Sequence, residues 1–176
     1  MDLRLDCLTS AALPAQRASL VALLQDAVES GASIGFLPPL EAPAAAEYWE
    51  SVATAIAERS RVLVVARDGD GAVVGAAQLE LATRPNGSHR AEVSKVMVHR
   101  LARRRGIGRA LMLELEDQAR RLGRTTLVLD TRSGDPSERL YRALGWQVAG
   151  TIPRYARSAD GNLDATTLYY KLLPPA

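Results

Sequence analysis

The chain has 176 residues, 47% of them apolar, and a formal net charge of +2 at pH 7. This length can bury one well-packed core, and we predict a single domain over residues 1–176. The small net charge offers no general attraction for nucleic acid. The sequence contains no run of about 18 apolar residues, so no membrane-spanning helix is predicted.

The N-terminal segment and the cysteine content bear on cellular location. The first residues, MDLRLDCL, include acidic side chains and lack the long apolar segment of a signal peptide. The single cysteine, Cys7, excludes an intramolecular disulfide, which is typical of the reducing cytoplasm. We therefore expect a soluble cytoplasmic protein in which Cys7 is a small core residue of a strand.

The first half of the chain predicts two helices and an antiparallel meander of strands. Leu20, Leu23 and Leu24 recur on one side of the first helix. A glycine- and proline-rich loop at 31–43 follows it, and Asp68–Gly71 between two apolar runs is a strong hairpin signal. The predicted elements are, in order, a strand at 3–8, helices at 13–29 and 44–59, and strands at 62–67, 73–81 and 91–98.

The stretch Val93–Leu122 predicts a strand, a glycine turn and a helix with one apolar face at a period of about 3.6 residues. The turn is basic, because five arginines lie within Arg100–Arg109. Gly106 and Gly108 allow a ligand to approach the backbone closely. The first amides of a helix lack partners and lie at the positive end of its dipole. We predict that this turn binds a diphosphate.

The second half predicts a parallel strand pair and two more strands. Leu127–Leu129 reads as a buried strand that ends in Asp130. Because a helix ending at Gly123 precedes this strand, it is expected to lie parallel to the strand before the glycine turn. The remaining predicted elements are a helix at 137–144 and strands at 146–150 and 166–172 around a turn at 160–162. The pattern indicates a mixed α/β fold.

These motifs resemble the GNAT (Gcn5-related N-acetyltransferase) family. The family signature Arg/Gln-x-x-Gly-x-Gly/Ala is present as Arg103–Gly108, and its later Leu-Tyr and Leu-Gly-Phe segment as Leu140–Trp146. The segments GFLPPL and YARSADGNL look like the tabtoxin-resistance-type subgroup. The resemblance implies a GNAT-like, mostly antiparallel sheet with a splayed parallel strand pair at its centre, flanked by helices.

The resemblance implies acetyl-CoA as co-substrate and no metal. Its pyrophosphate would lie on the amides of 104–109, and its pantetheine arm in the gap beside the strand that precedes the turn. The residues implied to bind it are Val96, Met97, Val98, Arg103, Arg104, Arg105, Gly106, Ile107, Gly108 and Arg109. Gly134 stands where family members often carry Asn, and Ser137 where alanine is common. We expect these departures to weaken contacts to the pantetheine end.

Three residues are candidates for the chemistry. Tyr141, in the family position, would protonate the CoA sulfur, unless it is only a core tyrosine of its helix. Glu92 and Asp130 would accept the amine proton directly or through water. Alternatively, Glu92 is a solvated strand residue and Asp130 caps the turn after its strand. A backbone N–H near Val98 would polarise the thioester carbonyl.

Other chemistry-bearing residues point to simpler roles. His89 and His99 have no third ligand at metal spacing, so no metal site is predicted. Trp49 and Trp146 are expected in the core. A role for Phe36 or Trp49 in acceptor recognition is a further hypothesis, because Phe36 lies in the loop at 31–43 and Trp49 follows it.

The function that these features favour is direct transfer of an acetyl group from acetyl-CoA to the amine of a small molecule. The acceptor would be an amino-acid-like toxin, an antibiotic or a metabolite, and the protein would be a possible homodimer. The alternatives are acetylation of a protein N-terminus or lysine, and a non-catalytic acyl-CoA-binding module. A dinucleotide-binding enzyme fails at Leu111, where its third glycine belongs. A nucleic-acid-binding module is disfavoured because the arginines converge on one helix terminus.

Overall fold

The computed structural model describes residues 3–174, which form one seven-stranded sheet flanked by helices. The strands are β1 (Arg4–Leu8), β2 (Arg61–Arg67), β3 (Val73–Leu81), β4 (Arg90–Val98), β5 (Thr126–Arg132), β6 (Gln147–Arg157) and β7 (Leu163–Leu172). The helices are α1 (Arg17–Glu29), α2 (Ala42–Ala57), α3 (Ile107–Arg121) and α4 (Ser137–Ala143). Within the described range, no helix is both long and apolar enough to cross a membrane.

The sheet has the order β1-β2-β3-β4-β5-β7-β6, and β4–β5 is its parallel pair while the other neighbours are antiparallel. The parallel pairing is short. It begins with Arg90 opposite Thr126 and ends with Glu92 opposite Val128. Beyond Glu92 the two strands have no ladder partners on their facing edges. The predicted mixed fold with a splayed parallel pair is therefore confirmed.

The sheet separates two hydrophobic cores, because successive strand residues point to opposite faces. In β2, Val64 belongs to the core under α3, whereas Val65 belongs to the core under α1 and α2. The α3 core contains Leu111, Met112, Leu115, Tyr141, Trp146 and Tyr169. The core under α1 and α2 contains Leu20, Leu24, Trp49, Val52, Ala76 and Met97. Both tryptophans are buried, as predicted.

A β-bulge interrupts β4 at Lys95. Ala76 of β3 lies opposite Met97, but Gln78 lies opposite Ser94, so two residues of β4 face one residue of β3. Lys95 has a φ of +51°, which is uncommon for a residue with a Cβ. The extra residue changes the alternation. Val93 lies in the α3 core, whereas Met97 lies in the core under α1 and α2.

Some predicted boundaries and one core assignment were wrong. The strand predicted to end at Asp130 continues to Arg132, because Asp130 pairs with Leu168 of β7 in an unbroken ladder. The last two strands are longer than predicted, since a tight hairpin lets their pairing extend to Arg157. Cys7 is exposed, because β1 is an edge strand in which Leu8 is the one buried residue.

The start of the first helix also differs from its prediction. Residues Pro14–Gln16 form a 3₁₀ turn, and α1 begins at Arg17. The second helix begins two residues earlier than predicted, at Ala42, because a proline is tolerated in its first turn.

The close packing of α3 on the sheet depends on Gly75 of β3. A Cβ added there would lie 2.9 Å from Cγ2 of Ile107, 3.1 Å from Cδ1 of Leu111 and 3.2 Å from the carbonyl oxygen of Met97. We expect Gly75→Ala to lower the free energy of unfolding by about 1–3 kcal/mol, since the added methyl group must displace α3. Urea denaturation would measure the change.

The matched control is Gly150→Ala in β6, where an added Cβ meets no atom within 4 Å. Its unfolding free energy should stay within about 0.5 kcal/mol of wild type. Equal losses in both variants would show that α3 does not need the small residue.

Candidate active site

The glycine turn before α3 has backbone groups free to bind an anion. Arg104 and Gly106 have φ values of +63° and +78°, and Gly106 is the N-cap of α3 without a side-chain cap. The backbone N–H groups of Ile107, Gly108 and Arg109 donate to no acceptor within residues 3–174. Left-handed turn geometry followed by a helix N-terminus forms an anion-binding concavity.

The five arginines of this region divide into two groups. Arg103, Arg104, Arg105 and Arg109 are exposed around the turn. Arg103 also donates from Nε to the carbonyl oxygen of Val98 at 3.0 Å, which ties the turn to the end of β4. The fifth, Arg100, instead contacts Asp26 of α1. Four permanently charged side chains therefore surround the free amides of the turn.

Asp26 anchors the base of the turn to α1. Its carboxylate accepts from the backbone N–H of Arg100 at 2.8 Å and from the Arg100 side chain, and Nε2 of His99 lies 3.5 Å away. Burial alone would raise the pKa of Asp26, but the Arg100 hydrogen bonds and the neighbouring charges hold that pKa below its usual range. This contact fixes the direction in which β4 leads into the turn.

A cleft of about 370 Å³ opens beside the gap between β4 and β5. Its lining comes from the loop at 32–35, from β3, β4 and β5, and from α4 and β6. Glu92, Asp130 and Tyr141 all line it, as does Val96. The three predicted catalytic residues, which are far apart in the sequence, therefore share one cavity.

The carboxylates of the cleft have different surroundings. Glu92 lies directly opposite Glu80 in the β3–β4 ladder. Glu80 is paired, since Arg61 Nη2 lies 3.1 Å away and Ser94 Oγ donates to it at 2.7 Å. Asp130 accepts from Thr166 Oγ1 at 2.7 Å. Glu92 has no hydrogen bond or ion pair to another described residue.

Burial raises the pKa of the Glu92 carboxyl, and the charges of Glu80 and Asp130 raise it further. An unpaired carboxylate with a raised pKa is a better proton acceptor than a paired one. Of the two predicted bases, Glu92 therefore has the more suitable electrostatic environment.

Tyr141 is 6% exposed, and its ring lies against Trp146 and Tyr169, with centroids 6.3 and 5.8 Å away. Burial, together with the charges of Asp130 and Asp135, raises the pKa of Tyr141 to about 12. Its hydroxyl forms no hydrogen bond within the described part of the chain. It therefore stays protonated at neutral pH and is free to donate to a group in the cleft.

Trp49 does not contact the cleft. It is fully buried, and its Nε1 donates to the carbonyl oxygen of Leu20 at 2.9 Å. The hypothesis of acceptor recognition by Trp49 was wrong, because this side chain joins α1 to α2. Phe36 lines an adjacent cavity of about 230 Å³ and packs edge-on against Tyr48 at 5.3 Å.

Sequence reasoning missed a polar network next to Lys95, a residue that lines the cleft. Gln78 is fully buried; its Nε2 donates to Tyr48 Oη at 2.8 Å, and Arg61 Nη1 donates to its Oε1 at 3.0 Å. Lys95 lines the cleft above Tyr48. The one signal in the sequence was Lys95 itself, in a chain that has only two lysines.

Gly134, which replaces the expected asparagine, has its own local role. Its φ is +87°, and its N–H donates to Glu138 Oε1 at 2.6 Å. The other oxygen of Glu138 accepts from the hydroxyl of Tyr169 at 2.5 Å. Nearby, the hydroxyls of Ser137 and Thr131 lie 2.9 Å apart. The start of α4 is therefore held by side-chain hydrogen bonds from its own helix and from β5 and β7.

The histidines lie apart from the cleft. His99 Nδ1 accepts from the backbone N–H of Leu101 at 3.3 Å. Within residues 3–174, no three His, Cys, Asp or Glu side chains are grouped so that they could hold a metal ion.

The structure thus combines a helix N-terminus that has unpaired amides with a cleft that holds an unpaired carboxylate and a free phenol hydroxyl. Comparison with known proteins identifies the class. Residues 22–146 match the model of the acetyltransferase (GNAT) family. The chain belongs to this family.

Individual relatives agree with the family. An uncharacterized N-acetyltransferase from the hisH-hisA intergenic region of Azospirillum brasilense is 34% identical over 109 residues. That match covers 61% of this chain and 62% of the relative, which is less than two thirds of its length.

Two solved structures share the fold over nearly the whole chain. A ribosomal-protein-alanine N-acetyltransferase from Brucella melitensis is 27% identical, with a TM-score of 0.78 over 97% of this chain and 99% of its own. A phosphinothricin acetyltransferase from Sinorhizobium meliloti, solved in complex with AcCoA, is 24% identical. Its TM-score is 0.79 over 98% of this chain and 89% of its own.

The Asp26 anchor leads to a pH-dependent prediction. Because the pKa of Asp26 is lower in the folded than in the unfolded chain, its stabilisation is present above the usual value of 3.8 and is lost as the pH falls through the folded value. We expect Asp26→Asn to lower the melting temperature, with the largest difference from wild type above about pH 5. Thermal melts from about pH 3 to about pH 8 would measure the difference in melting temperature between the variant and the wild type.

Glu29→Gln is the matched control, since Glu29 is an exposed carboxylate of α1 whose side chain makes no contact with a charged described residue. A difference for Asp26→Asn that does not change with pH would contradict the ionic contact.

Proposed function

We propose that the protein is an acetyl-CoA-dependent N-acetyltransferase that moves an acetyl group directly to the amine of a small molecule. One observation carries the proposal. The turn with the free amides follows the end of β4, and Glu92, Asp130 and Tyr141 line the cleft beside the gap between β4 and β5. A donor anchored by its phosphates at the turn can extend through this gap to the cleft.

The proposed acetyl-CoA site follows the free backbone. The pyrophosphate binds the amides from Arg104 to Arg109, with Arg103 beside it. The pantetheine arm lies along Val96–Val98, on the edge of β4 that has no strand partner. Because Met97 is buried in the core, it contributes its backbone only. Extended amides of the arm would provide the hydrogen bonds that the strand edge lacks.

The proposed reaction forms an N–C bond and breaks a C–S bond. Glu92 accepts a proton from the acceptor ammonium, directly or through water, so that the neutral amine can attack. Asp130 is the alternative base. A backbone N–H near Val98 polarises the carbonyl oxygen. Tyr141 donates its proton to the sulfur as the thiolate leaves. The amine nitrogen loses its second proton as the amide forms, and this proton restores the Tyr141 hydroxyl, while Glu92 releases its proton to solvent.

The shape of the cleft favours a small acceptor. Its volume of about 370 Å³ is in the range of small-molecule pockets. One wall is fixed by Arg132, which donates to the carbonyl oxygen of Gly31 at 2.9 Å and to Asp135 at 3.1 Å. The segments of the tabtoxin-resistance-type resemblance meet here, since residues 35–38 and 156–159 line the adjacent cavity. This contact supports an amino-acid-like acceptor, such as a toxin, an antibiotic or a metabolite.

Acetylation of a protein N-terminus or lysine is the second proposal, because a ribosomal-protein-alanine N-acetyltransferase has the same fold. A non-catalytic acyl-CoA-binding module is the third. We also propose a cytoplasmic location, which the single cysteine supports. A homodimer through β6 is supported by its exposed Val148, Ile152 and Tyr155 at the sheet edge.

Binding of acetyl-CoA is tested first at the turn. We expect Arg109→Gln to raise the dissociation constant for acetyl-CoA about tenfold, because a charged donor to a phosphate oxygen is lost. Titration calorimetry measures it, with NADH as the control ligand for the wild type. Arg121→Gln, at the other end of the same helix, removes the same charge and should change the constant less than about twofold. No binding of acetyl-CoA to the wild type would contradict the proposed function.

The chemical roles are tested by Glu92→Gln and Tyr141→Phe. We expect each substitution to lower kcat by about 10²–10⁴-fold, with the dissociation constant of acetyl-CoA within about twofold of wild type. Since a general base must be ionised, wild-type kcat/KM should fall as the pH drops through the raised pKa of Glu92, above its usual 4.5. This acidic limb should be absent in Glu92→Gln. Thiol release with an amine library measures the rates.

The control is Asp117→Asn, a carboxylate on α3 that is 52% exposed and outside the cleft. It should keep the wild-type rate. Wild-type kcat in both Glu92→Gln and Tyr141→Phe would remove these role assignments.

A further inference from the structure

Lys95 differs from the other cations of the chain. Of the 22 lysines and arginines, two are lysines. The other lysine, Lys171, is fully paired, with Nζ 2.7 Å from both carboxylate oxygens of Glu116 and 2.6 Å from the carbonyl oxygen of Leu144. Lys95 forms no hydrogen bond within residues 3–174, and no carboxylate oxygen there lies within 4.0 Å of its Nζ. Its Nζ lies over the ring of Tyr48, 5.9 Å from the centroid.

The unpaired ammonium is nevertheless held in place. The bulge directs Lys95 into the cleft, and its φ of +51° places it outside the usual strand conformation. Tyr48 beneath it is fixed by Gln78 and by the edge of Phe36. The loop at 32–35 covers it closely, because a Cβ added to Gly35 would lie 3.7 Å from Nζ. A charged group held in a half-buried cleft without a partner is poised for a ligand.

The charges around Lys95 show which ligand group fits. Burial lowers the pKa of Lys95 below its usual 10.5, and the charges of Glu80, Asp130 and Glu92 only partly offset this effect. None of these carboxylates forms an ion pair with it. Glu80 is already occupied by Arg61 and Ser94. The cleft therefore presents one unpaired carboxylate, that of Glu92, and one unpaired ammonium within the same cavity. A ligand with one positive and one negative group would satisfy both.

We propose that Lys95 binds a carboxylate that the acceptor carries near its amine, so that the acceptor is a zwitterion of the amino-acid type. The amine would lie at Glu92 and Asp130, and the carboxylate would form an ion pair with Nζ of Lys95. Lys95 is a specificity-determining residue in this arrangement and takes no part in proton transfer. The inference rests on the proposed function, since it concerns the acceptor of that reaction.

The cofactor phosphates are a poorer match for this ammonium. The turn that offers free amides begins eight residues after Lys95, at Arg103. Lys95 lies instead with Tyr48 and Phe36, on the face of the sheet covered by α1 and α2. The turn and α3 pack on the other face.

Paired substrates test the inference. The wild type, Lys95→Met and Lys95→Arg are assayed with L-amino acids and with their α-carboxamides, which keep the amine and lose the negative charge. We expect kcat/KM of the wild type to favour the acid over the amide by about tenfold or more, since a charged hydrogen bond is lost with the amide. In Lys95→Met the ratio of kcat/KM for the acid to that for the amide should fall to less than about two. The cause should be a higher KM for the acid at similar kcat. Lys95→Arg should restore part of the preference.

The control variant is Arg139→Met, which removes an exposed cation of α4 and should keep the wild-type preference. Equal kcat/KM for acids and amides in the wild type, or an unchanged preference in Lys95→Met, would overturn the inference. In that case acetyl-CoA binding, measured by calorimetry, and acetylation of the amides would still support the proposed function. Absence of acetyl-CoA binding would instead overturn the proposed function, and the inference with it.

Binding is also measured without turnover. Reductive methylation with ¹³C-formaldehyde labels both lysines, and Lys95→Arg assigns the Lys95 signal. N-acetyl-L-amino acids and their N-acetyl amides are titrated into the protein in the presence of CoA. We expect the acids to shift the Lys95 signal and its pKa, with no shift from the amides. Lys171, held in its ion pair with Glu116, is the internal control, and its signal should not move with either series. Identical Lys95 shifts from acids and amides would contradict carboxylate recognition.

Discussion

The structure depends on the separation of β4 and β5 after Glu92. Adjacent parallel strands normally satisfy each other's backbone groups, and the loss of this pairing leaves two strand edges without partners inside the sheet. The gap is possible because β3 supports β4 on its other edge and β7 supports β5 along its whole length. It also determines where the free side chains lie, since Glu92 is the last paired residue and Asp130 lies two residues past the last pair on β5. The candidate catalytic groups and the free strand edges therefore arise from the same gap in the sheet.

The elements around this gap are fixed by contacts that leave little freedom. On one face, α3 lies so close to β3 that only a glycine fits at position 75. On the other face, α1 holds the segment after β4 through the buried carboxylate of Asp26. The N-terminus of α3 is thus oriented by packing on one side and by charge on the other. Such orientation allows a helix terminus to bind an anion without prior rearrangement.

Much of this arrangement could be predicted from local sequence patterns. The basic turn at Arg103–Gly108, the hairpin at Asp68–Gly71 and the parallel pair all follow from short-range signals, and the motif placed Tyr141 near them. The bulge at Lys95 could not be predicted, because it depends on how β3 and β4 align rather than on a local residue preference. The exposure of Cys7 could not be predicted for a related reason. An alternating pattern does not reveal whether its strand lies at an edge or at the centre of a sheet.

The sheet places the chain's two tryptophans in separate cores. Trp49 lies among side chains of α1 and α2, and Trp146 lies beside Tyr141 under α3 and α4. Their indole groups also have different partners, a backbone carbonyl for Trp49 and the ion-paired Glu116 for Trp146. Indole fluorescence responds to such surroundings, so each half of the molecule carries its own intrinsic reporter. Unfolding followed through the two indoles separately would therefore distinguish a cooperative molecule from one whose two layers come apart in sequence.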